Sequence, residues 1–372
     1  MIRSDRSIHA GAEPVRVLIV GASLDILGGH AVLIRHLIDG FAGNDRVRVS
    51  FAAINPRLPG PLRWLQRVKF VRTMATQVAF AIALVRRVPS VDVVHVFSAS
   101  YFSFLIGPLP ALLVARIMGR PTILNYHSGE AADHLEHWPL SRWLISRLST
   151  LIVVPSAYLV SVFSIFRLNT IAIANFVPIE HLPFRERTFK EARLLSNRNL
   201  ERLYNVACTL RAFKIVQTAL PRATLVVAGD GSQRAELERL SKELGLRNVT
   251  FCGRVESEKM PAQYALADIF VNGSDIDNMP MSIIEAFASG LAVVSTRAGG
   301  IPFIVEDGVT GLLVNRGDSG ALAQSVLRLL AEPALATRLT RAARLKCEES
   351  YTWEQVRAEW EQAYVLAASA KR

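Results

Sequence analysis

The chain runs to 372 residues, too long for one ordinary hydrophobic core and suited to two domains. Apolar residues make up 51% and charged residues 20%, which excludes a disordered chain. Three widely spaced cysteines, Cys208, Cys252 and Cys347, give neither a disulfide framework nor a metal cluster, and they fit a reducing cytoplasm. Residues 1–14 are mixed and polar, without a basic and apolar leader, so no secretion signal is expected.

The first half alternates short β-rich runs with helical ones. VRVLIVG (15–21) is an apolar run ending in glycine, and GGHAVLIRHLIDGF (28–41) follows with helical spacing at Val32, Leu33, His36 and Leu37. VRVSFAAI, VDVVHVF, PTILNYH and TLIVVPS (150–156) read as further strands. Near-continuous apolar strands separated by helices predict a parallel sheet covered on both faces.

Charge is uneven along the chain. Residues 1–185 carry 19 Lys/Arg against 10 Asp/Glu, whereas residues 186–372 carry 24 against 22. Between Asp45 and Asp92 stand nine basic residues and no acidic one. RWLQRVKFVRT (63–73) interleaves basic residues with Trp64, Val68, Phe70 and Val71, which suits an amphipathic helix on an anionic membrane; a solvated basic face is the other reading. Peripheral membrane contact through residues 57–87 is therefore an expectation, on the cytoplasmic side. Nucleic acid is not expected as a partner, because no recognition module accompanies the basic run. MATQVAFAIALV (74–85) is too short to cross a bilayer. Pro108, Pro110 and Arg116 interrupt 97–119, which reads as a loop-to-helix segment buried in a domain.

The second half starts the pattern again, with strands ARLLS (192–196), TLVVAGDG (224–231), VTFCGRV (249–255), DIFVNGS (268–274) and LAVVST (291–296). Between them, QRAELERLSKELG sets Arg/Glu pairs on one helical face and leucines on the other. The pattern lapses around prolines near 173–184, where the join is placed. The expected architecture is α/β: two Rossmann-like, doubly wound parallel-sheet domains facing a cleft, 1–176 and 177–350. Ligands in such sheets bind beyond the carboxyl ends of the strands.

The segment DNMPMSIIEAFASGLAVVSTRAGG (277–300) concentrates the chemistry. Glu285 lies inside an otherwise apolar helix, and a carboxylate leaves water only at a cost of several kcal/mol unless partnered. The helix begins near Pro280, which suits a first turn. Amides of roughly residues 279–282, namely Met279, Met281 and Ser282 around Pro280, then lack intrahelical partners at the positive end of the dipole. That is an anion site suited to phosphate. Asp277 precedes it, so a ligand with a central diphosphate could place one polar end near each acid. A ribose diol would satisfy Glu285; a structural glutamate held by backbone or an arginine is the alternative.

From this segment outward, the chain resembles the retaining glycosyltransferases of the GT-B fold, family 4. That family carries Glu-x7-Glu, then a helix, a strand and Gly-Gly-x-Pro; here the series reads Asp277-x7-Glu285, LAVVST, Gly299-Gly300-Ile301-Pro302 and VEDGVTGLLV. The glycine loop GGH (28–30), DVVHVFS, LNYHSGE, VVPS, IANFVPI and VVAGDGSQRAELERLSKELGL match in order, so the resemblance runs end to end. It implies transfer of a sugar from a nucleotide-diphosphate sugar to a glycan, lipid-linked or small-molecule hydroxyl acceptor, without metal or other cofactor. Glu285 is implied to hold the ribose, Asp277 (one methylene shorter than the family's glutamate) and His127 the sugar. Gly28 and Gly29 would admit phosphate or sugar, with Val255 also on the donor wall. A lone histidine such as His127 is more often structural. Arg198 matches the diphosphate-clamping arginine, while the clamp's lysine position holds Leu203; Arg202, one residue earlier, is the candidate substitute, and a charge that simply faces solvent is the alternative. The last helix, within 351–370, is implied to cross back onto the first domain, and a core helix of the second domain is the alternative.

Other readings compete. SDID (274–277) also fits the metal-binding Asp-x-Asp of GT-A enzymes, and a nucleotide-sugar epimerase shares the two-domain fold. A weakly active or inactive nucleotide-sugar sensor or scaffold would explain the shortened acid and missing lysine. A dinucleotide dehydrogenase fits poorly, because VLIVGASLDILGG lacks the G-x-G-x-x-G spacing.

Overall fold

Apolar runs and helices close into two parallel sheets, seen in a computed structural model that describes residues 13–25, 28–58, 60, 64, 68, 71–98 and 100–370. The first sheet uses β1 (Val15–Gly21), β2 (Val47–Ala53), β3 (Val93–Ser98), β4 (Thr122–Tyr126), β5 (Leu151–Val154) and β6 (Ile171–Ala172). Its helices are α1 (Gly29–Gly40), α2 (Val71–Arg87), α3 (Phe102–Ile106), α4 (Pro108–Ile117), α5 (Ala131–His137), α6 (Pro139–Leu148) and α7 (Ala157–Ile165). The second sheet uses β7 (Arg193–Asn197), β8 (Thr224–Ala228), β9 (Val249–Gly253), β10 (Ile269–Asn272), β11 (Ala292–Thr296) and β12 (Leu312–Val314). Around it lie α8 (Val206–Ala219), α9 (Arg234–Glu243), α10 (Met260–Leu266), α11 (Met281–Ala288), α12 (Ser319–Ala331) and α13 (Pro333–Ser350), and α14 (Trp353–Ser369) ends the chain. The strand orders are β2-β1-β3-β4-β5-β6 and β12-β11-β10-β7-β8-β9.

Period-two alternation divides each sheet's side chains between two apolar layers. Val17, Ile19, Val93 and Ile123 point to one side of the first sheet, under α1 and α14; Leu18, Val20, Val94 and Leu124 point to the other, under α2 and α4 to α7. The second sheet is divided in the same way, with α8, α9 and α12 over one layer and α10, α11 and α13 over the other. Helix α14 therefore completes the core of the first sheet although it follows the second in sequence. Trp360, Tyr364 and Ala367 are buried there, and Trp353 meets the Phe41 ring edge-on at 4.8 Å.

Two expectations need qualification. Most of 63–73 lies outside the described residues, and α2 begins at Val71. The segment 97–119 is less buried than its composition suggests: α3 and α4 leave Phe102, Leu113 and Ile117 exposed. No helix among the described residues is long and apolar enough to cross a membrane.

Inside the first domain, rings stack in a column from α14 towards the cleft. Trp360, His95, Phe97 and His127 follow one another at centroid distances of 4.9, 5.0 and 5.5 Å. His95 is fully buried with Nδ1 2.9 Å from the Tyr364 hydroxyl, and burial holds its pKa down to about 3. His134, beside the Tyr126 hydroxyl at 2.7 Å, is lowered by burial to about 4. Their folded pKa values lie below the ordinary 6.5, so the stability they contribute is complete above that pH and is lost as pH falls towards 4 and 3. At about pH 5 the loss is on the order of 2 kcal/mol per histidine. Urea unfolding at pH 7.5 and pH 5 is expected to show the midpoint falling. The double variant His95→Phe/Tyr364→Phe, which removes both buried polar partners, should show a shallower fall; an unchanged pH dependence would contradict the assignment.

Candidate active site

The ends of β3, β4, β7, β8, β9 and β10 look onto one cleft of about 580 Å³ between the domains. That volume suits a ligand of nucleotide-sugar size. Gly28, Gly29, His30, Ser100, Tyr101, His127 and Glu130 line it from the first domain. Asn197, Arg198, Tyr204, Val255, Asp277, Met279, Pro280, Met281, Ser282 and Glu285 line it from the second.

Two helices begin at this cleft. Helix α11 has Pro280 at its N-cap and α1 has Gly28; neither cap side chain bonds the first turn, and neither first turn carries an acid. Free amides and two positive dipole ends thus reach the cleft from opposite walls, a setting that favours an anion. A Cβ placed on Gly28 or Gly29 would meet nothing within 4 Å, so their backbone borders open cleft. The turn behind α11 explains Gly299 and Gly300. A Cβ on Gly299 would fall 2.0 Å from the Asp277 carbonyl oxygen and one on Gly300 2.3 Å from that of Asn278, so the loop 277–278 sits where it does only over two glycines.

Glu285 has a partner the sequence did not reveal. The Tyr264 hydroxyl donates to its Oε2 at 2.5 Å and accepts from Asn197 Nδ2 at 3.0 Å. Burial raises the Glu285 pKa, against the pull of that bond and of Arg198. The carboxylate still opens onto the cleft, one oxygen held and the group oriented.

Asp277 and Arg198 are tied to each other. Arg198 Nη2 donates to Asp277 Oδ2 at 2.6 Å and Nη1 to Ser282 Oγ at 3.2 Å, while the guanidinium lies 4.1 Å over the Tyr204 ring. Ser274 and the Asn278 amide also donate to Asp277, and burial is the main cause that raises its pKa. Of the guanidinium donors, Nε is buried with no protein partner. Both residues stand in the cleft, but the shortened acid faces the arginine.

His127 stacks on Phe97 and meets His30 edge-on at 5.4 Å; burial, then the charges of His30 and His95, hold its pKa well below the ordinary value. It is a neutral imidazole whose buried Nε2 has no partner. Arg202 corrects an expectation. It is exposed on the short 3₁₀ turn Arg202–Tyr204 and does not line the cleft, whereas Leu203 and Tyr204 do. Each residue of a 3₁₀ turn rotates the side chain by a third of a circle, so one position early is the wrong face. The Leu203 carbonyl accepts the amides of Asp275 and Ile276, which fixes the loop but supplies no charge. Asp275, of the Asp-x-Asp reading, accepts from Asn205 at 2.9 Å. His30, Phe97 and Glu130 stood in matched motifs without a role of their own, and Tyr264 and Tyr204 were not singled out at all, because nothing local marks an aromatic or acidic residue as a cleft neighbour.

Two facing Rossmann-like domains with the ligand cleft between them define the GT-B class. Residues 180–346 match the family described as glycosyl transferases group 1. That segment, under half of the chain, is similar to group 1 glycosyltransferases, and the chain as a whole has the GT-B fold. Among curated proteins, the sulfoquinovosyl transferase SQD2 of Arabidopsis thaliana is 28% identical over 286 residues, 70% of this chain and 54% of the relative. A GDP-mannose-dependent alpha-(1-6)-phosphatidylinositol monomannoside mannosyltransferase of Mycolicibacterium smegmatis is 32% identical over 152 residues, 39% of this chain and 40% of the relative. The matched regions span about half the length of these relatives or less. Among solved structures, HepE of Anabaena in complex with UDP-glucose superposes with a TM-score of 0.75 at 18% identity, covering 94% of this chain and 99% of that one. A sucrose-phosphate synthase of Thermosynechococcus elongatus gives 0.75 at 19%, covering 95% and 100%. At such identity the likeness concerns the fold.

Asp277→Asn would leave the Arg198 charge buried without its counter-charge, and losing one partner of a buried pair costs about 3–5 kcal/mol. Chemical denaturation is expected to show a loss of that order at an unchanged m-value. A loss below about 1 kcal/mol would mean that solvent screens the pair as it does at a surface.

Proposed function

We propose that the protein is a retaining glycosyltransferase of the family 4 type, moving a sugar from a nucleotide-diphosphate sugar to the hydroxyl of a glycan, lipid-linked or small-molecule acceptor. The observation that carries the proposal is the convergence of two uncapped helix starts, Arg198 and the Tyr264-held Glu285 on one cleft. In this reading the diphosphate lies against the α11 amides and the Arg198 guanidinium, and Glu285 accepts from the ribose hydroxyls. His127, neutral, hydrogen-bonds the sugar without adding charge, and Asp277 lies close by as the partner of Arg198.

The acceptor oxygen forms its bond to the anomeric carbon on the face from which the phosphate oxygen departs, and the leaving phosphate takes the acceptor proton. Catalysis is then positioning plus stabilisation of charge growing on the diphosphate. Neither metal nor other cofactor takes part, so a chelator should leave the rate unchanged. A nucleotide-sugar sensor or scaffold is the second reading, favoured by the Arg198–Asp277 pair and by Leu203 in place of a cation. Turnover of donor by wild type, lost in Glu285→Ala, would reject the sensor.

The test is a thermal-shift panel of UDP- and GDP-sugars. A donor at about a hundred times its Kd should stabilise the chain by about 2.7 kcal/mol. Glu285→Gln should weaken nucleotide binding about tenfold or more, through loss of a charge-assisted hydrogen bond. A crystal with UDP or GDP bound away from Glu285 would overturn the proposal.

We also propose that the enzyme works on the cytoplasmic side of an anionic membrane. Helix α2 leaves Val71, Met74, Val78, Ile82 and Val85 exposed, an apolar stripe at helical spacing, and α4 beside it adds Leu113 and Ile117. Arg72, Arg86 and Arg116 are exposed around this face. Such a stripe edged by cations is suited to a lipid interface. Co-sedimentation with phosphatidylglycerol vesicles at low salt should fall at least tenfold in the Met74→Glu/Val78→Glu variant; equal binding by both proteins would remove the surface from consideration.

A further inference from the structure

Resting on the glycosyltransferase reading, we infer that Glu130 is the acceptor-selecting residue, binding hydroxyls of an uncharged saccharide and turning away acceptors that carry phosphate beside the reacting hydroxyl. Of the acids lining the cleft, Asp277 is held by Arg198, Glu285 by Tyr264, and Asp230 by the Gly231 amide with Arg234 at 3.7 Å. Among the described residues no hydrogen bond or ion pair reaches the Glu130 carboxylate, although the residue is half-buried on the cleft wall. Its neighbour Asp133 does not share this state, because the Tyr101 hydroxyl donates to it at 2.6 Å.

Position decides what such a carboxylate can meet. Glu130 follows His127 by three residues in the loop between β4 and α5, opposite the donor wall. The intervening Gly129 presses on the other domain, where a Cβ would come within 3.2 Å of the Asp277 carbonyl carbon. The Glu130 charge is felt by Tyr101 and Tyr126 on its own domain and by Tyr204, the platform under Arg198, across the cleft. It therefore shares one cleft with the sugar-side histidine of its own domain and, on the other wall, the arginine proposed to meet the diphosphate. Burial and Asp133 raise its pKa. No arginine or lysine stands among the groups that shift it, so no cation offsets the charge. An ionised acid in this setting accepts hydrogen bonds from sugar hydroxyls and repels a phosphate at the same spot.

The test compares wild type, Glu130→Gln and Glu130→Ala, using the donor identified by thermal shift and two probe sets: neutral octyl hexosides and the corresponding hexose 6-phosphates. Glu130→Gln should raise the KM for octyl hexosides about tenfold while the donor KM and the Kd for UDP or GDP change less than twofold. Wild-type kcat/KM for the neutral acceptor should fall as pH drops through the raised carboxyl pKa, and that limb should vanish in Glu130→Gln. Phosphorylated probes should be rejected by wild type and gain activity in the variant. Unchanged acceptor KM and pH profile with nucleotide binding intact would overturn the role of Glu130 alone. Failure of wild type to bind any nucleotide would overturn the glycosyltransferase reading and this inference with it.

Discussion

The ion pair between Arg198 and Asp277 is the constraint around which the cleft is arranged. It joins the end of β7 to the loop after β10, two strands that lie side by side with Leu194 opposite Ile269. A guanidinium this buried needs a counter-charge, which Asp277 supplies; Ser282 and the Tyr204 ring hold it further, and only Nε is left without a protein partner. The pair in turn fixes the loop that leads into α11, so the helix start and the cation face the same space.

Backbone geometry reinforces that arrangement from behind. Gly299 and Gly300 let one turn lie directly under the carbonyls of Asp277 and Asn278, where any side chain would collide. From the first domain, Ser156 donates to Asn278 at 2.5 Å, and from the joint Asn175 donates to the Met279 carbonyl at 2.9 Å. The anion-facing loop is thus gripped by both domains, and the Arg35–Glu258 ion pair at 3.0 Å adds an exposed contact between them. Movement of the domains would be felt directly by Met279 and the first turn of α11.

The first domain meets the same cleft with a different chemistry. Its cleft histidines, His30 and His127, are held neutral by burial, and the ring column from Trp360 through Phe97 holds His127 flat against the wall. That column begins on α14, so the last helix of the chain supports a side chain of the opposite domain's cleft wall. The apolar face of α2 and α4 belongs to this domain as well, and Phe102, Tyr101 and Ser103 lie on the short stretch joining β3 to α4 between that face and the cleft.

Local pattern made much of this legible. Apolar runs such as VRVLIVG and LAVVST became buried parallel strands almost residue for residue, since a strand covered on both faces can carry little else. Pro280 and the glycine pair marked the start of α11 and the turn behind it, because proline and glycine restrict or free the backbone wherever they stand. β12 and β6 were too short to show a period. Arg202 took the solvent-facing of its two readings, which spacing along the chain left open because it does not tell which way a tight turn faces.

The sequence by itself determined two doubly wound domains and a helix start beside Asp277 and Glu285, since strand burial, helix capping and turn chemistry are written in neighbouring residues. Only the tertiary structure decided whom those acids meet. Tyr264 reaches Glu285 across 21 positions and Arg198 reaches Asp277 across 79. Partners at such separations are chosen by which strands lie side by side and by which helix covers them, and no local period carries that information.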